Sequence, residues 1–206
     1  MQKLLAGIRE FRKTTRPSYL AKFAHLAHGQ APDCLLVACS DSRVVPNLFA
    51  STDPGDLFVV RNVGNLVPLP APGEGDRSTL AAIEFALYAL NVRDIIICGH
   101  SSCGAMQALL TGELPKGASV LPGWLDLARP VLPRLPDWPT VGRDLPPEDR
   151  LSQINVLEQL THLSRHPGVV ERMAEGRLAL HGWWFDLGAA EVSRYEADQG
   201  LFRPIL

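Results

Sequence analysis

Short runs of almost continuous apolar residues alternate with segments of helical periodicity through the middle of the chain. Three such runs, typical of β-strands, lie at residues 34–40, 56–63 and 94–98. A helix capped by Ser78 is predicted between the second and third runs, and another follows the third. Strands that are apolar on both faces are buried on both faces. The alternation therefore predicts an α/β fold with a mostly parallel central sheet flanked by helices.

The remaining segments fit one domain of 206 residues. Residues 1–29 show helical spacing twice, with Ser18 as the predicted cap of the second helix, and would form a helical arm. Residues 30–190 would form the core and residues 191–206 a C-terminal segment at the sheet edge. Eight of the 17 prolines lie in residues 114–150, which we interpret as a packed surface excursion within that domain.

Charge and hydropathy exclude several classes of protein. The net charge is −2, with lysine and arginine scattered along the chain, which argues against nucleic acid as a partner. No apolar run approaches the roughly 20 residues that a membrane span needs, and residues 1–16 lack the pattern of a signal peptide. A cytoplasmic protein is expected, and in such a protein the four cysteines are better interpreted as thiols than as disulfides.

Polar side chains follow the first and third strands where each strand ends. Cys39, Asp41 and Arg43 follow the first, and His100 and Cys103 follow the third. Ligands gather at the carboxyl ends of parallel strands, so the two groups are expected to lie close together. Cys39, His100 and Cys103, with Asp41 or water in the fourth position, would make a tetrahedral zinc site. The negative Asp41 carboxylate would be held by a bidentate pair with Arg43.

Glycines and further cysteines also lie in or beside these strands. Gly99 and Gly104 flank the His100–Cys103 turn, and a tight turn is expected to need them. Cys34 and Cys98 lie inside strands, where a free cysteine packs as a small hydrophobe. A four-cysteine zinc site including them is a less favoured alternative.

The segments "CSDSRV" and "GHSSCG" together resemble the two zinc-ligand motifs of the β-class carbonic anhydrases. The stretches "GDLFVVRNVGNLV", "AAIEFALYALNVRDIIICGHSSCG", "INVLEQLTHL" and "LHGWWFDL" are also similar to that family, and the likeness covers roughly residues 30–190. The resemblance implies a zinc lyase that converts CO2 reversibly to bicarbonate and a proton, by attack of zinc-bound hydroxide. It also implies a homodimer or a dimer of dimers, with the N-terminal helical arm packed on a partner subunit.

The resemblance also implies roles for individual residues. Asp41 and Arg43 would form a catalytic dyad with two states. In the open state Asp41 pairs with Arg43, and in the closed state Asp41 becomes the fourth zinc ligand. The substrate pocket would be formed by a glutamine, apolar wall residues and a backbone segment beside the second cysteine, some of them from a neighbouring subunit: Gln30, Phe58, Val63, Phe85 and Gly104.

Departures from the family pattern limit these implications. Phe85 stands where one branch of the family has a tyrosine, so the pocket lacks a hydroxyl there. In the branch regulated by bicarbonate, a tryptophan, an arginine and a tyrosine bind the effector. Here those positions are Leu36, Arg61 and Phe185, and only the arginine is retained. We therefore expect a site that bicarbonate does not regulate and that stays open near neutral pH.

Two other functions fit the same residues. The first is a hydrolase of carbon disulfide or carbonyl sulfide, which are linear molecules like CO2. The second is a catalytically silent zinc protein used for assembly, although the intact Asp41, Arg43 and Gln30 speak against it. A nucleotide-binding site at "GHSSCG" is least favoured, because the glycine patterns of such sites are missing.

Overall fold

A computed structural model describes residues 1–70 and 77–206. The described residues contain one six-stranded sheet with the strand order β2-β1-β3-β4-β5-β6. The strands are β1 (Cys34–Cys39), β2 (Leu57–Asn62), β3 (Asp94–His100), β4 (Ala179–Asp186), β5 (Glu191–Glu196) and β6 (Leu201–Pro204). Residues 71–76 fall within the predicted core and outside the described residues.

The first four strands pair in parallel, which confirms the predicted sheet. β1 lies between β2 and β3, with Leu36 opposite Val59 on one side and Ile96 on the other. β4 continues the parallel sheet beside β3, and β5 and β6 then add antiparallel pairs. The C-terminal segment predicted at the sheet edge contains both of these strands. β5 and β6 are short and only partly buried, so their apolar pattern is weak.

Helices cover the sheet, and the first two precede its first strand. They are α1 (Gln2–Lys13), α2 (Arg16–Leu26), α3 (Pro46–Phe49), α4 (Arg77–Tyr88), α5 (Gly104–Thr111), α6 (Leu121–Leu125), α7 (Pro147–Leu163) and α8 (Pro167–Ala174), with a 3₁₀ helix at Arg129–Asp137. Among the described residues, none of these helices is both long and apolar enough to cross a lipid bilayer.

The two predicted helix caps are wrong. α2 already begins at Arg16, where the adjacent Pro17 suits a first turn, and Ser18 lies inside the helix with its hydroxyl donating to the Thr15 carbonyl at 2.7 Å. Ser78 likewise lies inside α4. In each helix at least one residue before the serine is already helical. The type of side chain alone does not fix the first residue of a helix.

Successive residues of β1 and β3 point to opposite faces of the sheet, so each strand contributes to a core on both faces. Leu35 and Ile97 pack on one face with Val156 of α7. Leu36 and Cys98 pack on the other face with Phe185. In contrast, α1 has no buried residue in the single chain, and Leu4, Leu5, Ile8 and Phe11 are all exposed.

The proline-rich excursion docks onto α7 through polar groups as well as apolar ones. Arg134 of the 3₁₀ helix lies 2.5 Å from the buried Glu158 carboxylate. The Arg150 guanidinium donates to the carbonyl oxygens of Val141, Leu135 and Trp138. Proline has no backbone N–H and cannot donate to a regular hydrogen-bond pattern. The carbonyl groups of the excursion therefore accept hydrogen bonds from arginine side chains instead.

Close packing between α7 and β3 predicts that Gly99→Ala destabilises the fold. An added Cβ would lie 2.8 Å from Val156 Cγ2 and 3.1 Å from Ser152 Oγ. We expect a loss of about 1–3 kcal/mol in the free energy of unfolding, measured by urea denaturation. Gly29→Ala is the control, because a Cβ there meets nothing within 4 Å. Equal stability of the two variants would contradict the packing argument.

Candidate metal centre

Three predicted ligands meet where β1 and β3 end. Cys39 is the last residue of β1, His100 is the last residue of β3, and Cys103 precedes α5. Their ligand atoms all lie within 4.8 Å of one another, and the residues are 5%, 0% and 1% exposed. A buried cluster of two thiols and one imidazole has the donor set that zinc prefers.

The hydrogen bonding of His100 leaves one ring nitrogen ready for a metal. Nδ1 lies 2.9 Å from the Ser101 carbonyl oxygen, so this nitrogen carries the proton and donates it. Nε2 is buried and has no hydrogen-bond partner among the described residues. A buried orphan nitrogen is unfavourable unless another group binds it, and a metal ion held with the two thiols satisfies it.

The two thiols of the cluster lie within 4.8 Å of each other and affect each other's protonation. Interaction with Cys103 lowers the pKa of Cys39, and interaction with Cys39 raises the pKa of Cys103. Since the pair competes for one proton, a divalent cation that replaces the proton would stabilise both thiolates. The donor set, the orphan nitrogen and the shared proton all fit zinc.

Hydrogen bonds between side chains and backbone groups hold the loops on either side of the cluster. The Gly64 N–H donates to Cys39 Sγ at 3.4 Å. Arg61 donates to the Cys39 carbonyl oxygen at 2.9 Å and to the Asp41 carbonyl oxygen at 2.6 Å. Asp149 of α7 accepts the Ser102 N–H at 2.5 Å. These bonds position the ligand-bearing loops.

The prediction that the tight His100–Cys103 turn needs Gly99 and Gly104 for its backbone conformation is wrong. Ser102, with φ 54°, takes the left-handed conformation of that turn, and Asp149 holds it there. Gly99 is required because α7 approaches it closely, whereas a Cβ on Gly104 would meet open space.

Asp41 and Arg43 form a bidentate ion pair beside the cluster. Arg43 Nε lies 2.9 Å from Oδ1 and Nη2 lies 2.7 Å from Oδ2, and the Arg43 N–H also donates to Oδ1. The side-chain bonds from Arg43 hold the pKa of Asp41 well below its usual range. Arg43 Nη2 also donates to the Ser102 carbonyl at 3.1 Å, so it joins the two ligand-bearing loops.

A cavity of about 390 Å³ opens beside the cluster, and we call it the inner cavity. Its lining includes Cys39 and Asp41, the predicted pocket residues Val63 and Gly104, and apolar side chains of the proline-rich excursion. The other predicted pocket residues are not in this lining. Gln30 is exposed in the loop before β1, and the rings of Phe58 and Phe85 pack 5.8 Å apart beside the outer strand β2.

The three residues at the effector-binding positions of the bicarbonate-regulated branch make packing or backbone contacts in this structure. Leu36 is fully buried and Phe185 is 9% exposed, and both lie in one apolar cluster. Phe185 stacks on Phe49 with ring centroids 4.8 Å apart. Arg61 donates to backbone carbonyls.

The four-cysteine alternative is wrong. Cys34 and Cys98 lie outside the cluster, inside β1 and β3. Burial raises the pKa of Cys34 to about 11 and that of Cys98 to about 12, so both stay protonated.

Sequence reasoning missed the polar residues of α7 that support the site. Asn155 donates to the Gly64 carbonyl, and Gln159 accepts from the Val67 N–H and donates to Asn155. Ser152 donates to the His100 carbonyl at 2.8 Å. The available signal was a helix rich in amides and hydroxyls with no clear apolar stripe. Such a helix can be buried only if other backbone groups pair with its side chains.

Comparisons with known proteins agree on one family. A sequence model of the family described as "Carbonic anhydrase" matches residues 34–192. A carbonic anhydrase from Pseudomonas aeruginosa is 39% identical over 206 residues, which cover 98% of this chain and 90% of that protein. The solved structure of the β-carbonic anhydrase CcaA superposes with a TM-score of 0.89 at 37% identity, covering 100% of this chain and 92% of the other.

A second solved structure is relevant to assembly. It belongs to a set of two tetrameric β-carbonic anhydrases from the filamentous ascomycete Sordaria macrospora. It superposes with a TM-score of 0.80 at 29% identity, covering 95% of this chain and 96% of the other.

Removal of a cluster side chain is predicted to abolish zinc binding. His100→Ala and Cys103→Ser should each leave less than about one tenth of the zinc of the unaltered protein after dialysis, because a tetrahedral site needs all its protein ligands. Atomic emission of the dialysed proteins measures this. Cys34→Ser is the matched control, since it removes a buried thiol outside the cluster, and it should keep its zinc. Retention of zinc by His100→Ala would contradict the assignment.

Proposed function

The chain belongs to the β-class carbonic anhydrase family, and on that premise we propose how its own residues serve the reaction. The reaction is the zinc-dependent, reversible hydration of CO2 to bicarbonate and a proton. The observation that carries this function is the buried Cys39–His100–Cys103 cluster beside an apolar cavity. Zinc held there supplies a Lewis acid that makes water acidic enough to react near neutral pH.

Cys39, His100 and Cys103 would hold the metal, and Asp41 would orient the attacking water. Asp41 is ionised, so its carboxylate accepts hydrogen bonds and donates none. Arg43 keeps the carboxylate in place with two side-chain bonds. The attacking water must present a lone pair to CO2. A fixed acceptor for one of its hydrogens keeps the water in that orientation and lowers the entropy cost of reaching it. Asp41 and Arg43 are therefore proposed as the catalytic dyad.

We further propose that the site rests in the open state and is not regulated by bicarbonate. The bidentate pair with Arg43 occupies both carboxylate oxygens of Asp41 and keeps them from the metal. Leu36 and Phe185 offer no hydrogen-bond donor to an effector anion. Arg61 already donates to the carbonyls of Cys39 and Asp41, so its capture by an anion would cost those bonds.

The open-state proposal predicts a smooth pH dependence of CO2 hydration. Stopped-flow measurement on zinc-loaded protein from about pH 6.5 to about pH 9 should show activity that declines gradually towards acid, following one titration. Added bicarbonate should not sharpen that decline. An abrupt collapse below about pH 8 would mean that Asp41 leaves Arg43 for the metal, and it would overturn the open state.

Pocket residues that lie away from the cluster support a shared site between subunits. Gln30 is exposed, and Phe85 is 48% exposed, beside the outer strand β2. The arm helix α1 also presents an apolar face that the described residues leave exposed. We propose a homodimer, alone or paired as a dimer of dimers, in which Gln30, Phe58 and Phe85 complete the partner's substrate pocket. The tetrameric relatives support an assembly of this kind.

A shared pocket predicts recovery of activity when two inactive variants are mixed. Gln30→Leu would remove a substrate contact and Cys103→Ser a zinc ligand, and each homodimer should lose at least about tenfold in activity. Random reassembly gives half heterodimers, each with one complete site, so about one quarter of the unaltered activity should return. Stopped-flow assay after joint refolding measures it.

The control mixture pairs Cys39→Ser with Cys103→Ser. Both changes remove ligands of the same chain's cluster, so no heterodimer has a complete site and no activity should return. Absence of recovery in the first mixture, with heterodimers present, would place Gln30 in its own chain's pocket or outside any pocket.

The other functions considered are less well supported. The named relatives are carbonic anhydrases, which disfavours hydrolysis of carbon disulfide or carbonyl sulfide as the main reaction. A silent assembly protein would not need the intact Asp41–Arg43 pair. The four free thiols are typical of a reducing compartment and support a cytoplasmic location.

A further inference from the structure

We infer that Leu121 of the proline-rich excursion, together with Val63, forms the constriction that selects small linear molecules for the metal site. This inference rests on the proposed function, because it concerns access to the inner cavity. It assigns a role in specificity to a helix that lies outside the strands and loops carrying the metal ligands.

Two neighbouring cavities meet at these side chains. The inner cavity, beside Cys39 and Asp41, is lined by Leu121 and Leu125 of α6. A second cavity of about 390 Å³, which we call the vestibule, lies along the end of β2 and the start of α4. Val63 and Leu121 are the two described residues that line both cavities. These two side chains therefore form the boundary between the vestibule and the inner cavity.

The position of Leu121 is fixed by two residues that follow it in α6. Trp124 donates its indole N–H to the Val63 carbonyl at 2.7 Å, which ties α6 directly to the loop that carries Val63. Leu125, at 2% exposed, packs in the core cluster that contains Cys39 and Cys103. Since both walls of the constriction are held to each other and to the metal loops, its width is set by side-chain size.

The rest of the excursion keeps α6 from moving away. Ala128 and Val131 follow α6 and are fully buried in the same core cluster. The Arg134–Glu158 ion pair and the Arg150 contacts then dock the excursion on α7. A wall with this many buried attachments is a rigid element.

Aliphatic walls suit the chemistry of CO2. The substrate is linear and has no net dipole, so two aliphatic side chains need no polar group to admit it. A ring-bearing molecule is wider and must displace Leu121 or Val63. The inference is therefore selection by width, and truncation or enlargement of Leu121 should change the binding of wide ligands and leave that of narrow ones almost unchanged.

The test compares a narrow and a wide anionic ligand on cobalt-loaded enzyme. Thiocyanate is the narrow linear probe and benzenesulfonamide the wide one, and the visible spectrum of the cobalt reports the binding of each. Leu121→Ala should raise the association rate constant of benzenesulfonamide about tenfold, and Leu121→Phe should lower it about tenfold. The association rate constant of thiocyanate should change less than about threefold in both variants.

Leu110→Ala is the matched control, because Leu110 is 38% exposed on α5 and is not among the described residues that line either cavity. Equal shifts for the two ligands, or shifts no larger than those of Leu110→Ala, would overturn the inference. Leu121→Phe keeps an apolar side chain, so it tests the idea even if Leu121→Ala folds poorly.

The outcome is separable from that of the proposed function. Ligand selectivity in a protein that hydrates no CO2 would support the constriction and refute the reaction. Full CO2 hydration with unselective ligand binding would support the reaction and refute the constriction.

Discussion

The parallel hydrogen bonding of β1 to β3 is the constraint on which the whole site depends. Parallel strands end at the same edge of a sheet, so Cys39 and His100 emerge side by side although 61 residues separate them in sequence. Both strands are buried on both faces. A shift in register would move apolar side chains to the wrong face, so the core that stabilises the fold also fixes the spacing of the ligands.

α7 extends this constraint from the strands to the loops. Buried amides and hydroxyls are unfavourable unless they are paired, and those of Ser152, Asn155 and Gln159 pair with the backbone around His100, Gly64 and Val67. The same Gly64 gives its N–H to Cys39 Sγ. Packing of one helix thus holds both sides of the metal cluster, and the polar cost of its burial is offset by the order it imposes on the loops.

The remaining walls of the pocket come from segments that carry no motif. α6 supplies Leu121 and Leu125 to the inner cavity, and the excursion behind it is attached to α7 by arginine side chains. Gln30, Phe58 and Phe85 lie outside that cavity in the single chain. The reactive centre is therefore built within one chain, while its surroundings extend to the excursion and, as proposed, to a partner subunit.

The sequence by itself determined the parallel sheet, the grouping of Cys39, His100 and Cys103, and the Asp41–Arg43 pair. These depend on local patterns: apolar runs of strand length, and reactive residues directly after them. It could not decide the helix starts near Ser18 and Ser78, the use of Ser102 for the left-handed turn, or the function of Arg61. Only the tertiary structure decided that α7 is buried and that Leu121 borders the metal cavity. Those outcomes depend on contacts between residues far apart in the chain, and no local pattern records which distant backbone group a side chain will meet.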